Sequence, residues 1–201
     1  MKHLPRILTA GLAGLFLALA PAAAMADDIP LDDPPASGIA WDDEDKQLFV
    51  TDESGAIRIL ADDGSESGEL TFSGDPESVQ GLALSELLHV ADIGDEDSNR
   101  DHVTVFAVSP EEGQQTYQAW DFEYEDGPQD ASAFLISGKG RFYFITKGDD
   151  PGIYRATLAP SRDSVNTLTR ATDAPDGVTD AVFLDGGESM LVRTAEGVSI
   201  I

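Results

Sequence analysis

Beyond residue 37 the chain is written in short apolar runs, set apart by clusters of Asp, Ser, Gly and Pro. Apolar and polar side chains alternate within the runs, and the three-and-four spacing of an amphipathic helix is almost absent. This pattern predicts many short strands joined by tight polar turns. It also repeats. "GIAWDDEDKQLFVTDESGAIRIL" (residues 38–60) reads as strand, acidic turn, strand, Ser-Gly turn, strand. "GLALSELLHVADIGDEDSNRDHVTVFAV" (81–108) keeps that order with a longer second connection. "SAFLISGKGRFYFITKGDDPGIYRATL" (132–158) and "DAVFLDGGESMLVRTAEGVSII" (180–201) follow it again. The second strands are centred on Val50, Val90, Ile145 and Val192, roughly 40 to 55 residues apart, a period that suits about four strands per unit.

Weaker fourth strands are predicted at "ELTFS" (69–73), "YQAWDFEY" (117–124) and "NTLTR" (166–170). The expected fold is all-β, with β-propeller-like repeats of about four antiparallel strands per blade, about four blades present and the last incomplete. A β-sandwich offers similar strands and turns but not the repeated order. "EGVSII" falls inside the third strand of the fourth unit, so the ring is expected to be open within this sequence. A longer natural chain, a second copy or an open fragment each accounts for that, and two terminal Ile without a polar cap favour the first.

The opening residues follow a different pattern. Lys2, His3 and Arg6 precede an apolar run over 7–20 that is too short to span a bilayer, and Ala24-Met25-Ala26 supplies a small-x-small cleavage pattern. The predicted organisation is a signal peptide over 1–26, a Pro/Asp-rich lead-in over 27–37 and a partial β-propeller domain over 38–201. The expected location is secreted, outside the cell. There is no Cys, so neither a disulfide framework nor a lipid-anchoring cysteine is available. Charge narrows the partners: 12 basic against 38 acidic side chains give a formal net charge of −26. Such a surface repels nucleic acid and anionic lipid, and suits high salt, divalent cations or a cationic partner, with simple solubility as the plainer account. The partner expectation is an extracellular ligand or protein, with self-association if the ring is incomplete.

The same segments carry a resemblance. Residues 38–60 resemble the blades of NHL and gluconolactonase-like propellers. "VADIGDEDSNRDHVTVFAV" (90–108), "GPQDASAFLISGKGRFYFITK" (127–147) and "GVTDAVFLDGGESMLVRT" (177–194) together resemble a family of secreted actinobacterial propeller proteins, mostly uncharacterised. Three positions depart from that family's pattern. Glu96 stands where an Asn follows "IGD", Ser132 replaces a Glu, and Gln80-Gly81 replaces an acidic pair. The resemblance implies a propeller whose axial site has lost carboxylates at two strand starts.

Candidate chemistry gathers at Asp92, Asp95, Asp97 and Asn99, spaced D-x-x-D-x-D-x-N between two strands. Alternating Asp and Asn lets one loop direct several oxygens at a Ca2+ ion. Arg100 then stands where an EF-hand loop has Gly, and no Glu occupies its twelfth position. The favoured reading is a polar turn shaped by Asp95 and Asp97, with Arg100 paired to one of them. Lys147 and Arg193, scarce cations near second-strand ends, read as inter-blade ion pairs or as an anion site. The acidic runs 42–45 and 62–63 read as solvated hairpin tips, while Asp121, Glu123 and Glu125 share one face of an outer strand and blunt its edge. His89 sits in an apolar strand and reads as core; neither it nor His102 has a Ser or Cys partner, and zinc would need further ligands. These residues point to an exported, non-enzymatic scaffold or binding module. The alternative is a calcium-dependent phosphoesterase, a phytase-like hydrolase, in which Asp92, Asp95 and Asp97 hold the metal and Lys147 or Arg193 meets the substrate anion.

Overall fold

The structure is a computed structural model that describes residues 36–184, 187 and 189–201. The predicted signal peptide and all but Ala36 and Ser37 of the lead-in lie outside the described residues.

The first repeat is the antiparallel meander β1 (Gly38–Asp42), β2 (Gln47–Thr51), β3 (Ile57–Ala61) and β4 (Glu66–Phe72). The second is β5 (Val79–Leu84), β6 (Leu88–Asp92), β7 (Val103–Val108) and β9 (Tyr117–Tyr124), interrupted by the short β8 (Gly113–Gln115). The third is β10 (Ala131–Ile136), β11 (Phe142–Thr146), β12 (Gly152–Arg155) and β13 (Asn166–Asp173). The fourth holds β14 (Val178–Phe183), β15 (Met190–Thr194) and β16 (Gly197–Ile200). The described residues contain no α-helix. Each hairpin forms where the sequence places its polar cluster. In the first turn Asp42 Oδ1 accepts the Glu44 and Asp45 N–H groups, and Lys46 takes a left-handed φ of 54°.

The repeats stack in an arc. β1 lies against β5, β5 against β10 and β10 against β14, so the first strand of every repeat is innermost. Their starts approach so closely that side chains there are small. A Cβ on Gly38 would stand 2.8 Å from the backbone of Gly81 and Leu82, and one on Gly81 would meet Phe134 Cβ at 3.3 Å. At the next junction the Ser132 hydroxyl donates to the Val178 carbonyl at 2.6 Å. Three apolar cores fill the junctions. One, with Phe49, Leu70, Leu88 and Val108, lies between the first and second repeats. Another, built on Phe122, Phe134, Phe144 and Tyr154, lies between the second and third, and a smaller one around Ile145, Ile153 and Val192 joins the third to the fourth. His89 belongs to this packing, 7% exposed, with Phe142 at 5.3 Å and Trp120 at 6.2 Å between ring centroids.

Two outer features escape the sequence pattern. β8 pairs in parallel with β4, and the start of β13 pairs in parallel with β9, so neighbouring repeats are stitched along their outer edges. β9 is therefore not an exposed edge, and its acidic row does not blunt one. Asp121 accepts from the Thr104 hydroxyl at 2.9 Å and Glu125 from the Arg170 N–H at 2.8 Å. The second strands centre on Phe49, Val90, Phe144 and Val192, so Val90 and Val192 stand where the sequence put them, while Val50 and Ile145 fall one residue past their centres. Gly38, Val79, Ala131 and Val178 pair with Thr51, Asp92, Thr146 and Thr194, so by register the counterparts of Val50 and Ile145 are Ala91 and Arg193. Bulges at Gln80, Ser132 and Thr179 follow the first pair on these three inner strands.

Candidate functional site

That register makes Asp92 the counterpart of Thr51 and Thr146, one residue before Asp52 and Lys147. All three side chains are buried: Thr51 1%, Asp92 3% and Thr146 0% exposed. A Thr satisfies such a slot locally, as Thr146 Oγ1 does by accepting the Gly152 N–H at 2.9 Å. A carboxylate there needs a counter-charge, and the longer loop 93–102 brings Arg100 back to supply it. The pair is bidentate, with Nη1 to Oδ1 at 3.0 Å and Nη2 to Oδ2 at 2.8 Å. Ser78 N–H adds a third bond to Asp92 at 2.7 Å, and Arg100 Nη1 also donates to the Gly94 carbonyl at 2.9 Å. Burial works to lower the Arg100 pKa, but the hydrogen bonds and charge of Asp92, with Glu77 and Asp95 behind them, outweigh it and the net shift is upward. Arg100 thus pairs with Asp92, not with Asp95 or Asp97 as the sequence led one to expect.

Asp95 shapes the turn as expected. Its Oδ1 accepts the Asn99 N–H and its Oδ2 the Arg100 N–H, both at 3.0 Å, while its carbonyl accepts the Ser98 N–H at 2.8 Å. Ser98 takes a positive φ of 50° to allow this. Asp97 and Asn99 stand in solvent. A Ca2+ ion would need six to eight converging oxygens. Here the two buried carboxylates are held by N–H donors and the other two side chains point elsewhere. Among the described residues no group of three or more His, Asp or Glu is arranged to hold a metal ion.

Asp130 was not singled out by the sequence, yet it joins this loop to the third repeat. Its Oδ1 accepts the Asp95 N–H at 2.9 Å and its Oδ2 meets Lys147 Nζ at 3.0 Å, while its carbonyl accepts the Lys147 N–H at 2.9 Å. Lys147 therefore pairs within its own repeat, and the link between repeats runs through Asp130. Its position in "GPQDAS", one of the segments carrying the family resemblance, was the available signal. Beside this cluster, the Tyr124 hydroxyl is buried with no hydrogen-bond partner, and burial pushes its pKa upward.

Arg193 lies elsewhere, exposed on β15, and forms no ion pair among the described residues. It lines a cleft of about 460 Å³ with Ser37, Asp52, Glu53, Gln80 and Thr179, where inner strands of three repeats begin. The cleft mouth is polar. Further along the same strands Ile39, Trp41, Leu82, Leu135 and Val182, with Asp180 among them, line a groove of about 310 Å³. The structure therefore separates Lys147, committed to Asp130, from Arg193, which faces open space on the concave side of the arc.

No protein-family model and no curated relative matches the chain. Solved structures do. The β-propeller domain of Myceliophteria thermophila Cps50 (Swd1) aligns with a TM-score of 0.51 at 13% identity, over 83% of this chain and 53% of that one. A protein of unknown function from Bacteroides caccae aligns with a TM-score of 0.55 at 15% identity, over 86% and 58%. Myxococcus xanthus glutaminyl cyclase aligns with a TM-score of 0.53 at 12% identity, over 81% and 71%. At such identities the likeness carries the fold alone. The chain is an all-β protein of the β-propeller class, and it spans little more than half the length of the first two structures.

Proposed function

We propose that the chain is an exported, non-enzymatic binding module that takes its ligand at the axial mouth. The observation that carries this reading is Arg193, unpaired among the described residues, in a cleft it shares with Ser37, Gln80 and Thr179. Concave sites with a few convergent polar groups are where ligands settle, and the inner-strand ends of a propeller form such a site. Asp52 and Glu53 on the rim disfavour polyanions, so the ligand class is a small molecule with one carboxylate and hydrogen-bonding groups around it. The narrower resemblance to secreted actinobacterial propellers fits this reading.

A thermal-shift series with acetate, lactate and glutamate tests it. At least one of these carboxylates is expected to raise the melting midpoint, and Arg193→Gln is expected to abolish the rise. A rise that survives Arg193→Gln, or no rise with any carboxylate, removes the axial reading. The calcium-dependent phosphoesterase is less well supported. It requires Asp92 and Asp95 to give up the N–H donors they hold, and it sets Lys147 against a substrate although Asp130 already pairs with it.

A further inference from the structure

We infer that the cleft between the third and fourth repeats is a second binding site, which takes the dianionic head of a phosphate monoester carried on a small ring-shaped or apolar body. Basic side chains are scarce in this chain, 12 against 38 acidic ones, and ten of them lie beyond residue 36. Three of those ten, Lys139, Arg141 and Arg155, line one cleft of about 830 Å³. None of the described residues around it is a carboxylate, and none of the three cations forms an ion pair among the described residues. The molecule as a whole carries a formal charge of −26, but at physiological salt the reach of distant carboxylates is cut to about 8 Å. Inside the cleft the nearer cations therefore decide.

The fold brings the three together from two parts of the third repeat. Lys139 and Arg141 belong to the turn between β10 and β11, which Ser137 holds in shape. Its N–H donates to the Arg141 carbonyl at 2.9 Å, its carbonyl accepts the Gly140 N–H at 2.8 Å and its hydroxyl accepts the Arg141 N–H at 3.1 Å. Gly140 takes a φ of 77° to close the turn. Arg155 ends β12 opposite Tyr143, and Tyr143 stands two residues beyond Arg141, so the strand period sets all three on one face. Arg141 is already oriented: Nη1 donates to the Ala156 carbonyl at 3.0 Å, which leaves other N–H groups of the fork for a ligand. The fourth repeat closes the far side. Phe183 meets Tyr143 edge to face with centroids 5.1 Å apart, and a Cβ on Gly187 would stand 3.9 Å from the Gly138 nitrogen, so turns of the two repeats adjoin.

Guanidinium forks match phosphate oxygens two at a time, and Lys139 adds a mobile point charge. A phosphate monoester brings close to two negative charges at neutral pH. The cleft is larger than a bare phosphate fills, and Tyr143, Phe183 and the exposed Leu158 give the remainder an apolar wall. Its described lining holds no carboxylate or imidazole to act as a general base, so the chemistry it supports is binding. Arg193 has no part in it, and the inference does not rest on the axial site.

Equilibrium dialysis of the purified chain against phenyl phosphate, at physiological salt, tests the site. One saturable site is expected, from which inorganic phosphate competes more weakly because it lacks the ring. Phenyl sulfate keeps the ring but carries a single charge, and it too is expected to bind more weakly. Arg155→Gln, at an exposed position, is expected to weaken phenyl phosphate by about tenfold, and Arg141→Gln with Arg155→Gln to abolish binding. Arg193→Gln is expected to leave the isotherm unchanged, which separates this site from the axial one. No excess of phenyl phosphate on the protein side overturns the inference, as does binding that Arg155→Gln leaves intact or that Arg193→Gln removes. Equal binding of the sulfate and phosphate esters overturns the assignment to a dianion. Asp185 and Glu188, between β14 and β15 in the sequence, lie outside the described residues. Binding that appears only in the double variant Asp185→Asn, Glu188→Gln would make those carboxylates the counter-ions of the cleft, and the inference would fall.

Discussion

Removing the Arg100 guanidinium leaves a carboxylate whose side chain is only 4% exposed, with a single remaining donor, Ser78 N–H. An uncompensated buried charge is expensive, so Arg100→Ala is expected to lose about 3–5 kcal/mol in urea unfolding. Asp97 is exposed, and Asp97→Ala is expected to stay within about 0.5 kcal/mol of the parent. A metal loop would make both variants costly, which is why the pair is informative. His89 gives the matching pH experiment. Burial among Phe142, Trp120 and Phe134 lowers its pKa below the ordinary value, so the folded protein keeps it neutral where the unfolded chain takes up a proton. The unfolded state then binds more protons, and stability falls as pH drops through about 6.5 toward the lower folded value. His89→Phe is expected to flatten stability between about pH 7 and 5.5, ahead of carboxylate titration. An unchanged slope in that variant would place the proton uptake elsewhere.

Elements made of alternating apolar residues were legible from the sequence, because burial on one face selects the strand period directly. The predicted fourth strands at 69–73, 117–124 and 166–170 fall within or on β4, β9 and β13, or overrun by one residue. β8 was not legible, since "GQQ" has no apolar face and pairs only because the chain between β7 and β9 passes the edge of β4. The β9–β13 pairing was hidden for a related reason: parallel pairing between repeats depends on where the arc places two outer edges. Asp130 and the bulges at Gln80, Ser132 and Thr179 likewise acquire their roles through tertiary placement. Asn166 shows how much the outer stitch depends on one side chain. Its Nδ2 donates to the carbonyls of Asp121, Ser161 and Ser164, and its Oδ1 accepts the Ser161 N–H at 2.7 Å. Asn166→Ala removes all four bonds and is expected to cost about 2 kcal/mol. Faster hydrogen exchange should appear at 122–124 and 166–168, where the two strands pair. Protection unchanged there would mean that the parallel pairing holds without the amide.

At the scale of the whole molecule, charge is the dominant unspent term. Among the described residues the cations that form ion pairs are few: Lys46 with Asp43, Arg100 with Asp92 and Glu77, Lys147 with Asp130, and Arg170 with Asp150 and Asp173. Against 38 acidic residues this leaves a shell of carboxylates repelling one another across the surface. Screening shortens the reach of that repulsion from about 30 Å at 0.01 M salt to about 10 Å at 0.1 M, so the melting midpoint is expected to climb by several degrees over that range. Divalent cations screen more strongly than monovalent ones, so a rise with Ca2+ alone proves nothing about a site. The discriminating comparison is Ca2+ against Mg2+ at matched ionic strength. A loop whose Asp92 and Asp95 are held by Arg100 and backbone N–H groups has no preference for the larger ion, and the two curves are expected to coincide. A Ca2+ curve that runs above the Mg2+ curve, and falls back onto it in Asp95→Asn, would instead show that calcium displaces those donors and that the loop is a metal site after all.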